Sequence, residues 1–168
     1  MTGDADFGYF AAMSAGPLKR TAYLLTGDQQ LAEDLVQATL LRLYERWGRS
    51  AVWDSPLAYA RTTMYSIFVS WSRRRRVTEV ARSVLPDTPV AAAEDAVAST
   101  DEVLAVLRDL PTRQRAAVVL RYYEDLDAAE IAAILGCSAV TVRSQLSRAL
   151  ATLRTDQRLT RHPAPEPP

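Results

Sequence analysis

The stretch LDAAEIAAILGCSAVTVRSQLSRALATLR, Leu126 to Arg154, decides the fold. Asp127 with Glu130 three residues on makes a capping-box start, Gly136 supplies a left-handed stop, and Ser138 can cap a second helix. The stretch therefore reads as helix, tight turn, helix. On its second helix Val142, Leu146, Leu150 and Leu153 recur at i, i+4, i+8 and i+11, a stripe that must face Ile131, Ile134 and Leu135. At about 100° per residue, Ser144 and Arg148 then point away from the core. Arg143 and Ser147 flank them on one side, Thr141 and Gln145 on the other. Arginine can pair bidentately with guanine and glutamine with adenine, while serine and threonine make shorter contacts to bases or phosphates. An ordinary helical hairpin with a solvated face is the alternative. The Asp-x-x-Glu cap, the Gly-Cys-Ser turn and the Arg, Ser and Gln outer face together favour a major groove. Cys137, in the turn, reads as a small buried filler.

Outward from that stretch, apolar residues recur at helical spacing almost throughout, with no sustained alternation and no Asn-Gly hairpin, so the fold is expected to be all-α. A first helix is expected over Asp6 to Leu25, stopping at Thr26-Gly27, and Asp28 can cap a second that runs to Trp47. Gly48 to Asp54 reads as a loop. Ser55-Pro56 starts a third helix, which runs to Arg76 or a little beyond. Leu85 to Ser99, LPDTPVAAAEDAVAS, reads as a flexible linker. Helices are expected again over Thr100 to Asp109, Pro111 to Tyr123, Asp127 to Leu135 and Ser138 to about Arg158, before a tail ending PAPEPP that is expected to be disordered. The chain thus divides into a three-helix domain (1–84), a linker (85–99), a helix-turn-helix domain (100–158) and a tail (159–168).

The 168 residues are 48% hydrophobic, enough to bury a core, which excludes disorder of the whole chain. Lys+Arg 20 balances Asp+Glu 20, and that total taken alone argues against a nucleic-acid partner. The distribution argues otherwise. Tyr59 to Arg82 holds six arginines against Glu79, and Ser138 to Arg161 holds five against Asp156. Between them Asp87, Glu94, Asp95, Asp101 and Glu102 form an acidic segment with no basic residue. No apolar run approaches the roughly 18 residues of a membrane span, and the acidic start lacks a secretory basic region, so a cytoplasmic protein without membrane insertion is expected. Cys137 is the only cysteine and His162 the only histidine. An intramolecular disulfide, a Cys/His zinc site and a Ser-His-Asp triad are excluded, and no catalytic residue, metal or cofactor is expected.

The second helix carries two apolar stripes, one of Val36, Leu40, Leu43 and Trp47 and one of Leu31, Leu35 and Ala38. Either it is the centre of its bundle or one face docks onto another protein. In the third helix Leu57, Ala60, Met64, Ile67, Phe68 and Trp71 define a buried side. Tyr59, Thr62, Ser66, Ser70 and Arg73 lie on or near the opposite side, directly before Arg74, Arg75 and Arg76. Aromatic and hydroxyl groups beside a basic cluster suit a nucleic-acid strand; a solvated amphipathic face is the competing reading.

These residues resemble a known family across nearly the whole chain. TAYLLTGDQQLAEDLVQATLLRLYERW resembles the second conserved region of bacterial extracytoplasmic-function sigma factors, PLAYARTTMYSIFVSWSRRRR their promoter-melting helix, and LPTRQRAAVVLRYYEDLDAAEIAAILGCSAVTVRSQLSRALATLR their fourth region. TAYLLTGD, LRYYEDL and GCS further resemble the actinobacterial SigE-family subgroup. The resemblance implies that the first domain binds the β′ clamp helices of core RNA polymerase through Asp34, Gln37, Leu41 and Arg42. It implies that the 48–54 loop and the helix after it capture the minus-ten strand, and that Ser138 to Arg154 enters the minus-35 major groove near the β flap. It also admits an anti-sigma factor as a partner. The chain departs from the family at Tyr65-Ser66, where Arg-Asn is common, at Ser70, where Asp is frequent, and at Ala38-Thr39. A stand-alone dimeric helix-turn-helix regulator and a protein-interaction module are the alternatives.

Overall fold

The computed structural model describes residues 2–48, 55–81 and 100–160, so most of the expected 48–54 loop, the 85–99 linker with Asp87, Glu94 and Asp95, and the tail beyond 160 lie outside the described residues. Within the described residues eight helices succeed one another: α1 (Thr2–Thr26), α2 (Gln29–Tyr44), α3 (Pro56–Ala81), α4 (Thr100–Asp109), α5 (Thr112–Val118), α6 (Ala128–Leu135), α7 (Ala139–Thr155) and α8 (Gln157–Thr160). A π turn over Val119–Tyr123 continues α5. No strand occurs among the described residues, and the all-α expectation holds.

Local chemistry sets most boundaries. Gly27 ends α1 at φ +64, with its N–H donating to the Tyr23 carbonyl at 2.8 Å. Asp28 then caps α2 by accepting the Leu31 N–H at 2.8 Å. Gly27 is fixed twice over: a Cβ there would meet the Arg108 side chain at 2.6 Å. Ser55 accepts from the Ala58 N–H at 3.4 Å and Pro56 occupies the first turn of α3. At α6 the Asp127 carboxylate accepts from the Ala129 and Glu130 N–H groups at 2.8 and 2.9 Å, while the Glu130 carboxylate accepts from the Asp127 N–H at 2.8 Å. Gly136, at φ +63, ends the helix.

Both apolar stripes of α2 turn largely inward: Ala32, Leu35, Val36, Thr39 and Leu43 are buried, so this helix is the centre of its bundle. Its exposed apolar residues are Leu41 and Tyr44, which belong to neither stripe. Around its C-terminal end the Phe7 ring lies 5.1 Å from the rings of both Tyr44 and Trp47. In α3, Ala60, Met64, Ile67 and Phe68 are buried as expected, with Leu57 and Trp71 half-buried, but Thr63 and Tyr65 are buried as well.

Asp101 and Glu102, counted with the acidic segment, stand in the first turn of α4, whose span matches the expected helix and where acidic charge complements the helix dipole. Two expectations are corrected. The last long helix does not reach Arg158: α7 stops at Thr155, Asp156 is extended, and α8 begins. The α7 stripe does not serve α6 alone. Val142 joins the core with Ile131, Leu146 touches both clusters, and Ala149 and Leu153 pack with Leu107 of α4, Leu110 just after it and Val118 of α5.

The two halves share a core. Leu18, Leu25, Leu35, Met64 and Phe68 from the first half form one buried cluster with Ala116, Leu120, Ile131 and Val142 from the second. Fully burying each large apolar side chain contributes about 1.5–3 kcal/mol, so this junction is a substantial one.

Candidate nucleic-acid interface

On α7 the outer face stands where the stripe places it. Thr141, Arg143, Ser144, Ser147 and Arg148 are exposed and Gln145 is half-buried. Ser138 caps the helix, its hydroxyl accepting from the Thr141 N–H at 3.1 Å and sharing a hydrogen bond with the Thr141 hydroxyl at 2.9 Å. Those two hydroxyls therefore hold the N-terminus of α7 in shape. Arg158, counted with the basic stretch in the sequence, is turned aside: its guanidinium pairs with Asp109 and, at 2.6 Å, with Asp156. Hydrogen bonds from Arg158 hold the Asp156 carboxyl down at about 2.

On α3, Thr62, Ser66, Ser70, Arg73, Arg74 and Arg75 are exposed, and Tyr59 is half-buried with its hydroxyl accepting from Arg46 at 2.9 Å. The Arg76 side chain lies outside the described residues. Ser66, Ser70 and Arg73 do not look onto open solvent alone: with Tyr65 they line a crevice of about 330 Å³ whose far wall is α6 and its Gly136 turn. A second crevice of about 330 Å³ brings Arg73 of α3 together with Arg113 of α5 and with Gln145 and Arg148 of α7, and no acidic side chain lines it. The structure thus gathers part of the minus-ten set and part of the minus-35 set along one basic seam. On α2, Gln37, Leu41 and Arg42 are exposed, Leu41 by 62%, while Asp34 is half-buried and accepts from Gln30 at 3.1 Å.

Three junction residues escaped the reading of the sequence. Arg115 donates to the Leu25 carbonyl at 2.7 Å, capping the end of α1, and to the Arg108 and Leu110 carbonyls at 2.8 and 3.1 Å. Its guanidinium lies 6.0 Å from the centre of the Phe68 ring. Burial, and then the neighbouring Arg108, lower its pKa. Glu124 accepts the Thr21 hydroxyl at 2.6 Å and the Arg61 guanidinium at 2.9 Å. Tyr65 is fully buried, and its hydroxyl has no hydrogen-bond partner among the described residues. Burial, reinforced by the Glu124 carboxylate, pushes that phenol well above its ordinary value. Nothing local announces such pairings, because their partners lie far away in the chain.

A three-helix unit with a basic helix, joined to a helix-turn-helix whose outer face carries Arg, Ser and Gln, defines a two-part, all-helical DNA-binding protein. Comparison with known proteins narrows that class. Residues 12–78 match the model of Sigma-70 region 2 and residues 100–153 that of Sigma-70, region 4. The chain is 40% identical over 141 residues to the RNA polymerase sigma-E factor of Streptomyces coelicolor, a match covering 83% of this chain and 78% of that protein. It is 34% identical over 148 residues to the ECF RNA polymerase sigma factor SigL of Mycobacterium tuberculosis, covering 83% and 82%. The sigma factor RpoE of Bartonella quintana, solved with the anti-sigma factor NepR, shares the fold at a TM-score of 0.67 and 24% identity, over 90% of this chain and 99% of that one. The chain belongs to the sigma-70 family, in its extracytoplasmic-function group.

Proposed function

We propose that this chain is a dissociable sigma subunit that binds core RNA polymerase and directs promoter-specific initiation, without catalytic chemistry of its own, in the cytoplasm where polymerase works. The observation that carries this reading is the α7 face, which stands exposed on a capped helix-turn-helix inside the segment matching sigma-70 region 4. In this assignment residues 100–158 read the minus-35 duplex, with Arg143, Ser144, Gln145, Ser147 and Arg148 toward the groove and Ser138 and Thr141 at the helix start. Residues 1–84 bind the β′ clamp helices through Asp34, Gln37, Leu41 and Arg42. They hold the minus-ten strand through Tyr59, Thr62, Ser66, Ser70 and Arg73 to Arg76. Residues 85–99 tether the two, and the β flap receives the second unit. Solved relatives bound to NepR support extending anti-sigma control to this chain. No helix among the described residues is long and apolar enough to cross a membrane.

Run-off transcription with purified core polymerase tests the reading. Addition of the chain should yield a transcript from a promoter that core polymerase alone cannot use. A chain that binds duplex DNA as a dimer but leaves core polymerase inactive would instead be a stand-alone regulator.

A further inference from the structure

A cavity of about 830 Å³ lies among the end of α1, α2, α3 and the turn that joins α4 to α5. Its volume falls within the roughly 300–1,000 Å³ typical of small-molecule sites. None of the α3 residues that line it lines the Ser66 and Ser70 crevice. Two kinds of side chain meet here. Phe68, buried, and Trp71, half-buried, supply aromatic surface. Arg74 and Arg75 of α3, Arg108 of α4 and Arg115 of α5 supply positive charge.

That charge is in surplus. Two carboxylates line the same cavity, but Asp109 is taken by Arg158 and Asp34 accepts from Gln30 at 3.1 Å. Neither Arg75 nor Arg108 pairs with a carboxylate among the described residues. Arg115 directs Nη1 and Nη2 to the Leu25, Arg108 and Leu110 carbonyls, and its buried Nε–H has no acceptor among the described residues. Arg108 is held in place as well: its stem lies against Gly27, where a Cβ would approach it to 2.6 Å.

Arginines beside aromatic rings recognise a ligand that is both anionic and flat. Guanidinium forks bind phosphate oxygens, and a π face stacks on a base. A bare phosphate would leave the rings unused. A hollow walled by five helices suits a compact ligand rather than a continuous strand. We propose that this cavity is a binding site for a nucleoside polyphosphate, with its base against Trp71 and its phosphates on Arg75 and Arg108. The site stands apart from the α7 face, and a run-off transcript can succeed or fail without bearing on it. Arg75 also belongs to the set assigned above to the minus-ten strand, so the two sites overlap there.

The test uses the full chain without polymerase. ATP and GTP, without added metal, should bind one-to-one in isothermal titration calorimetry and quench tryptophan fluorescence. Adenosine and sodium tripolyphosphate, which carry one half of the ligand each, should bind about tenfold more weakly or worse. Arg75→Gln and Arg108→Gln should each weaken ATP binding by about tenfold, as loss of one charge-assisted contact does. Both side chains are exposed, so neither change should disturb the fold. Trp71→Leu should remove most of the quench and weaken binding by about fivefold or more. Arg143→Gln, on the α7 face and outside the cavity, should bind ATP as the parent does, and far-UV circular dichroism should match the parent in every variant. Absence of binding by both nucleotides would overturn the proposal. Tripolyphosphate as tight as ATP would do the same, reducing the site to general anion attraction. Unchanged affinity in folded Arg75→Gln and Arg108→Gln chains would place the nucleotide elsewhere. A single-stranded oligonucleotide that binds through these arginines where ATP and GTP do not would make the cavity part of the DNA surface, and the proposal would fall.

Discussion

The outer face of α7 carries Thr141, Arg143, Ser144 and Ser147 in solvent, with Arg148 at a crevice edge, whereas α3 presents Ser66 and Ser70, exposed as they are, to a crevice walled by α6. Both faces are made of similar residue types, and both result from the apolar stripe on the other side of their helix. They differ in what lies across from them. The α7 helix packs its inner side on α5 and α6 and leaves most of its outer side open, with only Gln145 and Arg148 at a crevice shared with α3. The α3 helix packs one side into its own bundle and a second, through Tyr65, against the other half of the molecule. Periodicity locates the side of a helix that leads into its own domain; it carries no information on whether a distant segment will close over the rest.

The sharpest way to break this comparison is to ask whether the halves unfold together. All three tryptophans, Trp47, Trp53 and Trp71, belong to the first half of the chain, so their fluorescence reports that half. Ile131→Ala, in the shared core but on α6, should cost about 2–5 kcal/mol in tryptophan-detected urea unfolding. An unchanged midpoint would mean that the halves melt independently and that the junction is weak.

A smaller effect probes the open face. Arg148→Ala should weaken binding to a cognate minus-35 duplex by about 1–3 kcal/mol if its guanidinium pairs with a guanine; equal binding would remove Arg148 from base readout. Smaller again, neutralising two of Arg73, Arg74 and Arg75 should lower the salt slope of holoenzyme binding to promoter DNA by roughly one to two units. A slope that stays put would make these arginines a solvated surface.

The smallest effect concerns the end of α7. Asp156 is held at about 2, below the ordinary 3.8, by hydrogen bonds from Arg158. Because the folded value is the lower one, the stabilisation from this pair is complete above about pH 4 and disappears as pH falls through about 2. An NMR titration should show that midpoint, and Arg158→Ala should return it toward the ordinary carboxylate range. An ordinary midpoint in the parent chain would mean that Arg158 is free to face DNA after all.

Much of the fold was legible because its signals are local. Gly27 with Asp28, Ser55 with Pro56, and Asp127 with Glu130 each state a helix boundary within four residues, and each boundary appears in the structure. The α7 face was legible for the same reason. What escaped is tertiary. The break at Asp156 is hidden by an Arg154, Arg158 spacing that continues the helical pattern; there the Asp156 carboxylate accepts the Arg158 N–H at 2.9 Å, and the Arg158 side chain also pairs with Asp109 on α4. Glu124 sits in a polar run, RYYEDLD, that reads as surface, and its partners are Thr21 and Arg61. Tyr65 lies off its own bundle's predicted side and is buried in the cluster that the two halves share.

Gly27 and Gly136 share one backbone conformation, φ +64 and +63, yet their surroundings are opposites: Gly27 is pressed against Arg108, and nothing lies within 4 Å of a Cβ at Gly136. Conformation alone constrains Gly136, and asparagine, which tolerates the left-handed region better than other side chains, can take its place at modest cost. Conformation and space together constrain Gly27, where even a methyl group must displace a side chain from the other half. In a randomised library the turn between α6 and α7 therefore has more latitude to drift than the turn between α1 and α2. The residue that looks like an ordinary helix stop is also where a side chain of the other half leaves no room for a Cβ unless it moves.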